Sequence, residues 1–331
     1  MNAFQLRRRI SLSSIFICLL AFATSLEAVF SSASCPAQKV SEQVDLLLNL
    51  ETFDKWINVA NINLPFETYH PQGIVKIGDS FFLTAIDGNL AGYLIKFDVK
   101  SPREGHRGNS DDISRKTATF VRQVQLADPS FKTRIHPGGI DYDSSRNRIW
   151  CPLAEKLADT STSILTINPD DLSYENAGYI KDHLGTTIVD IENNRVRMID
   201  YHTGMYSFQL KSAGTFPSGI HTADKFVLPN EPIEYQDCKH LGQRYALCAG
   251  TGSHRVDLIH FDSDLDGKTA TGYSIERRFP LGTTNLGREA MTFEILDDNS
   301  GRKFVRFYFK PDDGNNTKLR IYDAHTADRK K

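Results

Sequence analysis

His70-Pro71-Gln72-Gly73-Ile74 returns as His136-Pro137-Gly138-Gly139-Ile140, and this recurrence decides the fold. A weaker copy begins His183-Leu184-Gly185-Thr186-Thr187-Ile188. Two degenerate copies begin at Glu234-Tyr235-Gln236-Asp237-Cys238 and Gly287-Arg288-Glu289-Ala290-Met291. The starts lie 66, 47, 51 and 53 residues apart, a period expected of repeat architectures. Each copy opens the same grammar of short β-branched and aromatic runs separated by Gly, Asp, Asn and Pro turns. In the first unit the predicted strands are 74–76, 81–86, 93–99 and 119–126.

Four-stranded units repeated radially form a β-propeller. The fifth unit offers only three strands, 290–295, 303–309 and 318–322, while 55–64 reads as a strand with no hairpin partner nearby. A ring must close, so the N-terminal strand is expected to complete the last blade. The fold class is therefore all-β, a single five-bladed propeller over 55–325. A sixth blade would need strands within 35–50, where 40–51 reads instead as a short amphipathic helix. The excess length of the first unit, 101–116, is polar and charged and reads as a surface insertion or a lid over one mouth.

The first strand of each blade lines the axis, so equivalent motif positions should form rings. Three residues before the Gly73 position stand His70, His136, His183, Glu234 and Gly287. One residue before it stand Gln72, Gly138, Gly185, Gln236 and Glu289, on the same face by the period of two. Three imidazoles and one carboxylate suit a divalent transition metal (Zn, Fe, Mn or Cu) better than calcium, which wants six or more oxygens. The gap at Gly287 would leave a coordination position open for an activated water. Glu289 is then the candidate general base and Arg288 an oxyanion stabiliser, with Gln72, Gln236 and Asp237 lining the pocket. The alternative is that the His-Pro imidazoles are structural, bonded to a neighbouring blade's backbone.

Other motifs say less. Asp262-Ser263-Asp264-Leu265-Asp266-Gly267 opens like a calcium loop, but its twelfth position is Tyr273 rather than Glu. No nucleophile elbow supports Ser-His-Asp catalysis. A glycosidase would need two or three inward carboxylates, for which Glu234, Glu289 and Asp237 are available.

The flanking sequence carries an address. Arg7-Arg8-Arg9, an apolar run over 10–23 and small residues up to Ser34 read as a secretory signal peptide, an uncleaved anchor being the alternative. The expected division is signal 1–34, lead segment 35–54, propeller 55–325 and tail 326–331. No later run is long and apolar enough to span a membrane, so an extracellular product is expected. The cysteines left after Ser34 are Cys35, Cys151, Cys238 and Cys248. A hairpin turning at Gly242-Gln243 would set Cys238 opposite Cys248, the expected disulfide. Asn315-Asn316-Thr317 is a glycosylation sequon. Among 331 residues, 39 Lys plus Arg against 41 Asp plus Glu leave a net charge of −2 and no global case for nucleic acid as partner. A monomer is expected.

The His-Pro-x-Gly-Ile openings, with Ile140-Asp141-Tyr142-Asp143 and Asn147-Arg148-Ile149-Trp150 following in the second unit, resemble secreted and periplasmic propeller proteins of uncharacterised function. More distantly they resemble the gluconolactonase, strictosidine-synthase and paraoxonase propellers. That distant resemblance implies calcium held by inward Glu, Asp and Asn; here those positions are mostly His, Gln and Gly, so the lactonase activity is not carried over. The expected function is an axial pocket for a metal or small polar ligand, with metal-dependent hydrolase or lyase chemistry if catalytic. The alternative is a non-catalytic scaffold that recognises a glycan or a protein with its loops.

Overall fold

Consecutive Phe81 and Phe82 are both buried yet join different apolar clusters, and this is how the middle strands of the molecule are built. Alternate side chains of a strand leave opposite faces of the sheet. A strand covered on both faces therefore reads as a continuous apolar run, as in Ser80–Ile86 and Arg148–Glu155. Ile149 and Trp150 divide in the same way between two clusters.

The computed structural model describes residues 36–100, 113–129, 131, 135–155, 161–200, 204–211, 226–227, 234–250, 254–262, 272–311 and 317–327. The chain forms two compact units, Met1–Lys39 and Val40–Lys331. Of the first, only the opening turn of helix α1 (Pro36–Leu48) is described. The expected signal peptide, Cys35 and Asn315 lie outside the described residues, as do 101–112, 263–270 and the tail beyond 327.

The second unit holds five antiparallel sheets, a five-bladed β-propeller. Blade I is β2 (His70–Ile77), β3 (Ser80–Ile86), β4 (Gly92–Lys100) and β5 (Thr117–Leu126). Blade II has β6 (Ile135–Pro137) and β7 (Asp141–Asp143) sharing the inner position, then β8 (Arg148–Glu155), β9 (Thr162–Ile167) and β10 (Tyr174–Ile180). Blade III is β11 (Leu184–Asp190), β12 (Arg195–Asp200), β13 (Gly204–Gln209) and β14 (Phe226–Val227). Blade IV is β15 (Tyr235–Gly242), β16 (Tyr245–Gly250), β17 (Arg255–Phe261) and β18 (Tyr273–Pro280). Blade V is β19 (Ala290–Asp297), β20 (Lys303–Lys310) and β21 (Lys318–Ala324), completed by β1 (Ile57–Asn63). Strand β1 pairs antiparallel with β21 from Ile57↔Asp323 to Asn63↔Lys318, so the N-terminal strand closes the ring as expected.

Each gap between blades is filled by one apolar cluster. Trp56 stacks on Phe307 at 4.5 Å in the gap between blades IV and V, where Leu46, Leu47 and Leu50 also pack. The lead segment is therefore the expected helix, covering that gap rather than adding a blade. The stretch after 112 departs from the polar surface insertion expected of it. Ile113, in a single 3-10 turn over Ile113–Arg115, is buried in the cluster between blades V and I. Cys238 and Cys248 face each other across β15 and β16 and form the expected disulfide. Cys151 is buried and unbonded, and burial pushes its thiol pKa up.

Candidate functional site

The five inner strands meet at a level set by glycines. The ladder shifts register between Pro71 and Gly73, between Leu184 and Thr186, and between Tyr235 and Asp237. In blade II the inner strand is interrupted at the same place, between β6 and β7. A bulge of this kind inserts one extra residue and re-aims its side chain. It lets Gly73, Gly139, Thr186 and Asp237 converge on the axis. Gly139 bridges Thr186; a Cβ on Gly73 would lie 2.6 Å from Gly139 Cα, and one on Gly139 would lie 2.1 Å from Gln236 O. Backbone fills the axis here.

Polar groups then fasten the blades across it. The Asp237 carboxylate accepts hydrogen bonds from Ile74 N and Met291 N, each at 2.9 Å, linking blade IV to blades I and V. Lys239 Nζ donates to the same carboxylate and, at 2.8 Å, to Ile140 O of blade II. Asp141 Oδ2 accepts from Val189 N at 2.9 Å and His240 N at 3.1 Å, joining blades II, III and IV. Burial raises the pKa of Asp141 and of Asp237 to about 6, against the opposing pull of the Lys239 charge and of the backbone donors. Asp237, expected to line a pocket, is thus an internal strut whose oxygens are occupied by backbone amides and an ammonium.

One step toward the starts of the inner strands stand Gln72, Gln236 and Glu289, all three buried. Among the described residues, neither amide atom of Gln72 has a hydrogen-bond partner, nor does Oε1 of Gln236. Beyond them His136, buried, and His183, half-buried, bring their rings to 5.7 Å between centroids. His70 is half-buried, and Arg288 is exposed beside the inward Glu289.

The expected four-ligand metal centre is not assembled by this arrangement. Among the described residues, no group of three or more His, Cys, Asp or Glu side chains is placed to hold a metal ion. Glu234 stands exposed, one residue before β15 begins, where the period of two that placed it beside His70, His136 and His183 no longer applies.

Sequence reasoning missed Asp141 and Lys239. Their signal was available: Lys239 stands two residues from Asp237 on one strand, a spacing that sets the ammonium and the carboxylate on the same face. His240 Nε2 lies buried 3.7 Å from Asp190, and burial lowers its pKa to about 4.

A family model, that of a family of unknown function (DUF6454), matches residues 28–327. The chain belongs to this family. No curated protein matches the sequence. Among solved structures, a bifunctional GH43-CE protein of Bacteroides eggerthii is 12% identical with a TM-score of 0.44, covering 80% of this chain and 34% of that one. This chain thus spans about a third of that protein's length. A GH43 endo-arabinanase of Bacillus licheniformis is 11% identical with a TM-score of 0.43, covering 79% and 96%. A periplasmic gluconolactonase of Pseudomonas aeruginosa is 13% identical with a TM-score of 0.39, covering 78% and 72%. Among the described residues no helix is long and apolar enough to cross a membrane.

Proposed function

We propose that this chain is a secreted binding propeller that takes a small polar ligand at the axial mouth around Gln72, Gln236 and Glu289. The observation that carries the reading is Gln72, fully buried with both amide atoms unpartnered. A buried amide left unsatisfied costs about 1–3 kcal/mol, and a ligand offering one donor and one acceptor removes that cost on binding. Gln236 Oε1 is a second acceptor awaiting a donor. The backbone that closes the axis beneath, at Gly73 and Gly139, keeps a ligand at the mouth from passing through. The basic and apolar leader together with a disulfide supports an oxidising, secretory destination.

The test is Gln72→Met, compared with the wild type by thermal shift and calorimetry against amino acids, amides, hydroxy acids and monosaccharides. A ligand site predicts a more stable variant that binds no member of the panel the wild type binds. Equal binding in both proteins, or a wild type that binds none of them, overturns the reading.

A further inference from the structure

We propose, resting on the axial-mouth reading, that the ligand is a small nitrogenous cation whose ammonium or guanidinium group gives its N–H hydrogens to an arc of Gln236, Glu289 and Gln72. The three side chains come from blades IV, V and I, which are consecutive around the ring. The equivalent positions in blades II and III are Gly138 and Gly185, which carry no side chain. The polar groups at this level therefore stand on one side of the axis.

What the arc can accept and donate selects the ligand. Each amide brings one accepting oxygen and one donating nitrogen, a balanced pair whichever way it is turned. An ionised carboxylate only accepts, at about four lone-pair sites on its two oxygens. Glu289 therefore keeps acceptor capacity beyond the group that already engages it. The amide atoms left over lean the same way. Among the described residues, Oε1 of Gln72 and Oε1 of Gln236 are two buried acceptors without a partner, against one such donor, Nε2 of Gln72.

Charge agrees with that count. One level below, Asp237 holds Lys239 directly, while Asp141 takes the backbone amides of Val189 and His240 and feels the same ammonium through space. Two carboxylates there face one ammonium, and both are ionised above a pKa of about 6. Arg288, next to Glu289 in sequence, is exposed. An anion at the mouth would meet the Glu289 carboxylate with Asp237 and Asp141 behind it, in a buried space that penalises unmatched charge. A neutral ligand would satisfy the amides, but its bond to Glu289 would lack the roughly twofold strengthening of a charge-assisted pair. The backbone that closes the axis at Gly73 and Gly139 limits the depth to a short end group.

The experiment is calorimetric titration of the folded full chain with two matched pairs of probes, guanidinium against urea and glycinamide against propionamide. Tetramethylammonium serves as a cation without N–H, and acetate as the anion. The wild type is expected to bind each cation about tenfold or more tighter than its neutral counterpart, the difference one charge-assisted hydrogen bond makes. It should bind neither tetramethylammonium nor acetate. Glu289→Gln keeps the shape and removes the charge, and should abolish the preference within each pair. Gln72→Met should bind none of the probes. The wild-type comparison alone decides the proposal should Glu289→Gln not fold. Neutral probes bound as tightly as their cations, tetramethylammonium bound as tightly as glycinamide, or a preference that survives in Glu289→Gln overturns the inference. No binding of any probe overturns it too, while monosaccharide or hydroxy-acid binding lost in Gln72→Met would leave the axial-mouth reading standing. Cation binding that persists in Gln72→Met overturns both.

Discussion

Lys239 neutralises Asp237 two residues away on the same inner strand, with both charges buried on the axis. The same ammonium reaches Ile140 O in blade II, and the same carboxylate holds backbone amides of blades I and V. One ion pair therefore touches four of the five blades.

Removing one partner should be far worse than removing both. Lys239→Met leaves Asp237 and the nearby Asp141 as uncompensated buried carboxylates, an expected loss of about 3–5 kcal/mol in urea denaturation. Lys239→Met with Asp237→Asn should recover part of that loss. A double variant no more stable than Lys239→Met would show that the pair is not the fastening.

Stability should rise on mild acidification. Burial raises Asp141 and Asp237 to about 6 from 3.8, so their protonation favours the fold at low pH, and that stabilisation is lost as pH climbs through 6. His240 works in the opposite sense: lowered to about 4 from 6.5, it contributes stability above pH 6.5 that is lost as pH falls toward 4. Two groups outweigh one, so the urea midpoint should increase between pH 6 and about pH 4.5. In His240→Gln the increase should be steeper. Parallel pH profiles for the two proteins would remove His240 from the account.

Gly139 should tolerate no side chain. Its added Cβ would meet Gln236 O at 2.1 Å and Asp237 Cα at 2.8 Å, both backbone atoms of the facing blade. Gly139→Ala is expected to cost about 3 kcal/mol or more, the upper end for overpacking. Gly88→Ala, with nothing within 4 Å of its Cβ, is the control that should sit within about 0.5 kcal/mol of wild type. Equal midpoints for the two variants would mean that the axis is looser than its glycines imply.

The hairpin carrying the disulfide turns through Gln243 and Arg244, at φ 46° and 70°. Both lie in the left-handed region, which disfavours residues with a Cβ. Arg244→Gly should stabilise the protein by about 0.5–1 kcal/mol and raise the melting temperature. A lower melting temperature would mean that the Arg244 side chain contributes more than its backbone costs.

The register of the blades was legible because spacing carries it: Gly73, Gly139, Thr186 and Asp237 do share a level. The Gln72 and Gln236 positions were legible for the same reason. The placing of Glu234 was not, because it falls before its strand begins, and strand ends are where sequence periodicity loses its hold. The bulges are backbone features without a residue signature, since Gln72, Gly185 and Gln236 occupy the shifted positions alike. Strict alternation with Gln236 would set Asp237 on the opposite face; the register shift between Tyr235 and Asp237 brings it to the axis, where amide hydrogens from blades I and V occupy it. The Lys76 ammonium meets Glu294 across 218 residues, a distance that no local pattern encodes.

The pairing of β1 with β21 has a consequence for how the protein matures. Asn58 Nδ2 donates to Ile321 O across 263 residues, so the first strand to be synthesised must wait, unpartnered, for nearly the last. Until then blade V exposes an open edge, the state in which sheet proteins aggregate. Closing the ring thus waits on contacts of high sequence separation, the kind that slow folding. A chaperone that shields one exposed strand during export would act on β1 before any other element.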